Sequence, residues 1–120
     1  MRVSVTKCFE FEAAHHLPDY NGACNRLHGH SYKLQVTVSG SVDKVSGMIV
    51  DFGVLKSVVK EQIVDKYDHQ YLNDFFTNPT AENMVQSFFI DLSHKFSNMG
   101  LTLESVKLWE TESSFAECRR

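Results

Sequence analysis

Residues 28–40 read HGHSYKLQVTVSG. His28, His30, Tyr32, Leu34, Val36 and Val38 occupy alternate positions, so a β-strand would set all six on one face. Residues 2–15 (RVSVTKCFEFEAAH) alternate too, with Val3, Val5, Phe9, Phe11, Ala13 and His15 on one parity. Between the two, residues 18–27 (PDYNGACNRL) are rich in turn formers and read as a loop. Two strands joined by such a loop predict an antiparallel pair with His15 and His28 as neighbours.

Beyond residue 40, SGSVDKVSG reads as a turn region and MIVD (48–51) as a short third strand. Asp51 is placed as a helix N-cap, because Phe52, Leu55, Val58, Val59, Ile63 and Tyr67 follow at helical spacing. A second helix should begin near Thr80, after Pro79. Its apolar stripe is Met84, Val85, Phe88, Phe89, Leu92 and Phe96, and Gly100 marks its stop. Residues 101–111 return to strand, with Val106, Leu108 and Glu110 on one face and Leu103 and Trp109 on the other. A last short strand is expected around 114–118. Strands, two helices and strands again indicate an α+β domain with an antiparallel sheet.

At 120 residues the chain is expected to form one domain, 1–120, short enough that self-association would help its stability. A formal charge of −3 argues against a nucleic-acid binder, which would show a basic excess. No apolar run approaches the roughly 20 residues that span a bilayer. The N-terminus lacks the apolar block of a signal peptide, so a cytoplasmic location is expected. Three scattered cysteines make a poor disulfide framework and suit a reducing compartment.

Six histidines are the more unusual count, and His15, His28 and His30 fall within sixteen residues on inward-facing positions. His-Gly-His on one strand face sets two imidazoles about 7 Å apart at the backbone, close enough to converge on one ion. Three neutral nitrogens with a fourth position open form the usual ligand set of catalytic zinc, although imidazole also suits copper, iron and nickel. His16 faces away from His15 and reads as a surface residue, and His94 as a solvated one. Cys24, four residues before His28, has three readings: a fourth ligand, a base whose thiolate a nearby cation favours, or a half-buried loop thiol. The three histidines already make a ligand set, which favours the base. Cys8 reads as inert packing. Asp68-His69 pairs a carboxylate with an imidazole whose tautomer it can fix. Glu110 is an acid on the parity of Val106 and Leu108, where burial demands a partner; the alternative puts it at the wet end of its strand.

These residues carry a resemblance. F-E-A-A-H (11–15), C-x3-H-G-H (24–30), D-H-x-x-L-N (68–73), P-T-A-E-N (79–83) and W-E-T (109–111) resemble the 6-pyruvoyl-tetrahydropterin synthase superfamily, in order over nearly the whole chain. The short Cys24–His28 gap is similar to the bacterial branch that forms 6-carboxy-tetrahydropterin; the pyruvoyl-forming branch has a longer one. The resemblance implies a tunnelling fold, a four-stranded antiparallel sheet with two helices on one side, assembled as a homohexamer of two trimers with active sites at interfaces. It implies conversion of 7,8-dihydroneopterin triphosphate to 6-carboxy-tetrahydropterin with loss of triphosphate and acetaldehyde, on the way to 7-deazapurines such as queuosine. Zinc on His15, His28 and His30 would bind the substrate's side-chain hydroxyls. Cys24 would be the base, and His69, oriented by Asp68, the second acid/base. Glu110 would accept paired hydrogen bonds from the pterin, with Thr80 and Glu82 touching the ring or supporting the second helix. A non-catalytic pterin-binding zinc protein is the reading from another class.

Overall fold

The computed structural model describes residues 1–120. β1 (Arg2–His15) and β2 (His28–Ser41) pair antiparallel from Arg2↔Ser41 to His15↔His28. The last rung before the connecting loop is therefore the pair of histidines. The chain next forms β3 (Gln70–Tyr71), β4 (Thr102–Thr111) and β5 (Ser114–Arg119). The order across the sheet is β3-β1-β2-β4-β5, antiparallel except for β3, which runs parallel to Ala13–Ala14 of β1. The sheet thus has five strands rather than the expected four. β3 is only two residues long, and two residues show no alternation to read.

Residues 48–51 are not a strand. They form an irregular connection in which Ile49 packs beside Gly40, where a Cβ would stand 3.5 Å from the Ile49 Cβ and 3.0 Å from Leu101 Cδ2. The bare Cα of Gly40 is the seat for both side chains. β4 also departs from simple alternation. Its register against β2 slips between Thr37 and Val38, leaving Glu104 unpaired and turning Leu103 into the core with Val106 and Leu108. Leu103 therefore does not share a face with Trp109, whose ring lies 4.7 Å from that of the exposed Phe115.

The first helix, α1, begins at Phe52 with Asp51 Oδ1 accepting the Gly53 N–H at 2.6 Å. It runs through Phe52–Val59, a π-helical segment Lys60–Val64 and a closing turn Asp65–Tyr67. Leu55, Val59, Ile63 and Tyr67 recur every four residues and are all buried. On a pure α-helix that spacing drifts by about 40° per step and would rotate Tyr67 off the stripe. The wider π turn takes up the drift. The second helix, α2 (Ala81–Ser97), is capped by Thr80 Oγ1, which accepts the Asn83 N–H at 3.1 Å. Gly100 follows with φ 75°, the left-handed turn expected there.

Both helices cover one face of the sheet. Phe11, Tyr32, Leu34, Val36, Val106 and Leu108 meet Leu55, Ile63, Met84, Phe88 and Leu92 in one apolar cluster. Full burial of each such side chain contributes about 1.5–3 kcal/mol, and this layer holds the ends of β1 and β2 rigidly. No helix is long and apolar enough to cross a membrane.

Candidate metal centre

The alternation that buries Phe11 and Ala13 carries on to His15, which is fully buried; the one that buries Tyr32 and Leu34 runs back to His30 and His28. The three rings are thus the last layer of the core face, where hydrophobic packing gives way to polar groups. Their ring centroids lie 4.6–5.0 Å apart.

Backbone carbonyls fix two of the tautomers. His15 Nδ1–H donates to Pro79 O at 2.8 Å, and His28 Nδ1–H to Arg26 O at 2.7 Å. A carbonyl only accepts, so in each neutral ring the Nε2 atom bears a lone pair. Those two Nε2 atoms face each other at 3.0 Å. Two lone pairs at that distance repel unless a cation lies against both. His30 Nε2 is buried with no hydrogen-bond partner, 3.5 Å from Glu110 Oε1. Burial pushes His15 and His30 below the ordinary imidazole value, against an opposing pull from the Pro79 carbonyl and Glu110 on His15 and from Glu110 on His30. Neutral imidazole is the ligating form.

Nitrogens about 2.1 Å from a tetrahedral ion stand about 3.4 Å apart. Here one ligand atom from each histidine lies within 4.8 Å of the others, so the donor set fits one metal ion with small side-chain adjustments. The outer hydrogen bonds to Pro79 and Arg26 supply the orientation that metal-binding histidines require. Tyr32, fully buried beneath the rings, has its hydroxyl 3.3 Å from His15 Nδ1, and burial raises its pKa.

Glu110 is the unpaired residue of a second bulge, where the β4–β5 register shifts between Trp109 and Thr111. Bulges re-aim side chains, and this one points its carboxylate at His30 and into a cleft of about 420 Å³ lined with Glu82, Phe115 and Glu117. Glu82 stands in the first turn of α2. Thr80 is the cap of that helix.

Cys24 lies half-buried in a 3-10 turn, Ala23–Asn25, with its carbonyl accepting the Leu17 N–H at 2.8 Å. Asp68 and His69 are elsewhere. Asp68 Oδ1 accepts the Glu12 N–H at 2.9 Å, Asp68 Oδ2 meets His69 Nδ1 at 3.0 Å, and the His69 N–H donates to Glu12 O. The Asp68 carboxyl is held below its usual range by the Glu12 N–H first and His69 second. His69 takes φ 60°, a strained conformation for a residue with a Cβ. Its ring is exposed and lines a hollow of about 500 Å³ with Glu12, Ser31, Gln70 and Tyr71, which His30 also borders. One chain therefore gathers the three histidines and Glu110, while Asp68–His69 stand apart from His15, His28 and Glu110, beside Glu12.

Some expectations needed revision. His16 is not a free surface residue: it is half-buried, with Nδ1 2.7 Å from the Tyr71 hydroxyl. Cys8 is exposed beside Gln35 rather than packed inside. The contacts made by Pro79, Arg26, Tyr32 and Asn73 were not foreseen, although Tyr32 stands on the strand parity and Pro79 and Asn73 within the motifs. Two of them act through backbone carbonyls, which no side-chain pattern reveals.

The fold and the convergent imidazole triplet define an α+β domain with three histidines placed so that they could hold a metal ion. The sequence profile of the 6-pyruvoyl tetrahydropterin synthase family matches residues 4–120, and the chain belongs to that family. It is 41% identical over 110 residues to a putative 6-carboxy-5,6,7,8-tetrahydropterin synthase of Archaeoglobus fulgidus, covering 92% of this chain and 90% of that one. It is 36% identical over 138 residues to the 6-carboxy-5,6,7,8-tetrahydropterin synthase of Haemophilus influenzae, covering 94% and 96%. Among solved structures, the 6-pyruvoyl tetrahydropterin synthase of Caenorhabditis elegans superposes with a TM-score of 0.88 at 30% identity, covering all of this chain and 96% of that one.

Proposed function

We propose that this protein is a zinc-dependent lyase converting 7,8-dihydroneopterin triphosphate and one water to 6-carboxy-5,6,7,8-tetrahydropterin, with release of acetaldehyde and triphosphate. The observation that carries this reading is the pair of carbonyl-fixed Nε2 lone pairs facing each other at 3.0 Å beside the unpartnered His30 Nε2. Such a cluster has little purpose other than to hold a cation.

His15, His28 and His30 would hold zinc, which when bound supplies Lewis acidity to hydroxyls on the substrate's side chain. Cys24 takes the proton from the side-chain carbon beside those hydroxyls. Glu110 accepts two hydrogen bonds from the pterin amino and ring N–H groups, a bidentate match that orients the ring. Thr80 holds the start of α2, and Glu82 borders the ring cleft. His69, with Asp68 at its Nδ1, holds or delivers a proton at Nε2 on the far side of the substrate.

We assign that last role to a second copy, because the exposed His69 ring lines a hollow with the outward-facing Glu12 and Ser31 that His15, His28 and Glu110 do not border. Two features favour assembly. β1 is paired on its outer edge only at Ala13–Ala14, and β5 has no outer partner, leaving backbone donors and acceptors free at both edges. The radius of gyration, 15.5 Å, exceeds the roughly 14 Å of a compact domain of this length. A cytoplasmic homohexamer of two trimers, each chain one catalytic domain, fits these edges. Light scattering on the active protein is the check, and a fully active monomer would refute interface sites.

Incubation of the purified protein with dihydroneopterin triphosphate, followed by mass analysis, tests the reaction. A 6-carboxy product with about one zinc per chain is expected. Absence of any new pterin from zinc-loaded protein would overturn the proposal. A 6-pyruvoyl product would select the sister activity, against which the three-residue Cys24–His28 interval speaks.

A further inference from the structure

Asn73 closes the D-H-x-x-L-N stretch without a role of its own in the reading above, and we propose that it is a positioning residue for Cys24. β3 follows the end of β1 for two rungs, Ala13↔Gln70 and Ala14↔Tyr71, and then turns away at the fully buried Leu72. At His16, where the strand pairing has stopped, the Asn73 carboxamide takes its place. Asn73 Oδ1 accepts the His16 N–H at 3.0 Å, and Asn73 Nδ2–H donates to the His16 carbonyl at 3.0 Å. A carboxamide presents one acceptor and one donor side by side, as a peptide group does, and no other short side chain reproduces this at neutral pH.

The held residue passes its position on. The Leu17 N–H, next in the chain, donates to the carbonyl of Cys24 at 2.8 Å. Asn25 N–H to Gly22 O and Arg26 N–H to Ala23 O close the turn around that cysteine. The Arg26 carbonyl then receives His28 Nδ1–H. An unbroken run of bonds leads from Asn73 through His16, Leu17 and Cys24 to His28. The same short segment is fastened to β1 a second time by Asp68 at Glu12. The sequence 68–73 thus serves two places at once, its first residues shaping the hollow of His69 and its last one the loop of Cys24.

This inference rests on the reading of Cys24 as the base. The test compares Asn73→Ala, Asn73→Asp and Cys24→Ala as zinc-loaded enzymes with dihydroneopterin triphosphate as substrate. Displacing a reacting group by about 1 Å lowers rates by about a hundredfold, so Asn73→Ala should lower kcat at least tenfold, with KM within about threefold and zinc retained. Asn73→Asp adds a discriminating signature. Its carboxylate faces the His16 carbonyl with a second acceptor, whereas its protonated form restores one donor and one acceptor. The kcat of Asn73→Asp relative to wild type should therefore rise as pH falls toward the carboxylate range, while the Asn73→Ala ratio stays flat. Should Asn73→Ala fail to fold, the Asn73→Asp pH ratio decides alone.

Both variants within twofold of wild type would overturn the proposal. So would a loss of activity that follows loss of zinc, which would mark a merely structural contact. Full turnover by Cys24→Ala would instead bring down the underlying reading, an outcome separable from the Asn73 results.

Discussion

Replacing Glu110 by Gln keeps the shape of the side chain and exchanges one acceptor oxygen for a donor. Glu110 sits on a bulge, 3.5 Å from His30, with its side chain 28% exposed. A hydrogen bond to a charged group is worth about 1.5–3 kcal/mol, and a donor facing the ring's own donor adds a penalty. The partial exposure lets water relieve some of that penalty, so the lower part of the range applies. At about 1.4 kcal/mol per factor of ten, Glu110→Gln should weaken pterin binding about ten- to a hundredfold. Calorimetric titration with a dihydropterin that lacks the phosphates reads ring recognition alone. Zinc content and assembly mass should match wild type, since the carboxylate serves neither in this scheme. Unchanged affinity would refute the reasoning. Glu110 would then be a solvated strand end, and Glu82, in the same cleft, the next acid to examine.

Alanine at His15, His28 or His30 should each abolish zinc retention by elemental analysis, whereas Cys24→Ala should keep the metal and lose turnover; a zinc-free Cys24→Ala protein would make the thiol a ligand. Thr80→Ala removes the α2 cap and should cost about 1 kcal/mol in denaturant unfolding, and a change below a few tenths would mean water replaces the hydroxyl. The Asp68 carboxyl has its lower pKa in the folded state, so its stabilisation is complete above the unfolded value of about 3.9 and disappears as pH falls through the folded one. Asp68→Asn should therefore flatten the fall of stability below about pH 4 relative to wild type, and parallel curves would show that the Glu12 contact carries no pH dependence.

The parity of residues 2–15 and 28–40 set the buried faces, because a slip of one residue would turn Phe11 and Tyr32 apart, and the loop between the strands set His15 opposite His28. The same rule failed at Leu103, since one unpaired residue at Glu104 resets the parity and bulges leave no mark on composition. The strict four-residue period of Leu55, Val59, Ile63 and Tyr67 was visible, but its consequence, a π turn, emerges only when the stripe must meet a flat sheet. Met48–Asp51 looked like a strand because it is apolar, yet both neighbours of β2 were already taken by β1 and β4. Of the candidate site, the convergence of His15, His28 and His30 and the place of Glu110 were legible from parity, whereas the carbonyls of Pro79 and Arg26 were not. The separation of His69 from the histidine cluster depends on which side of β1 the short β3 turns its neighbours.

The bulge at residue 110 has a bearing on how this protein can change. A side chain within a ladder answers to the residues across from it, so altering it disturbs the sheet. Glu110 answers to no rung on β5, and the hairpin closes through Trp109↔Phe115 and Thr111↔Ser114 whatever occupies the position between. If Glu110 selects the ring as proposed, that preference can drift, by natural variation or by saturation mutagenesis, without disturbing the ladder. On the proposed reading, the contact that selects the ring lies where the architecture is most permissive.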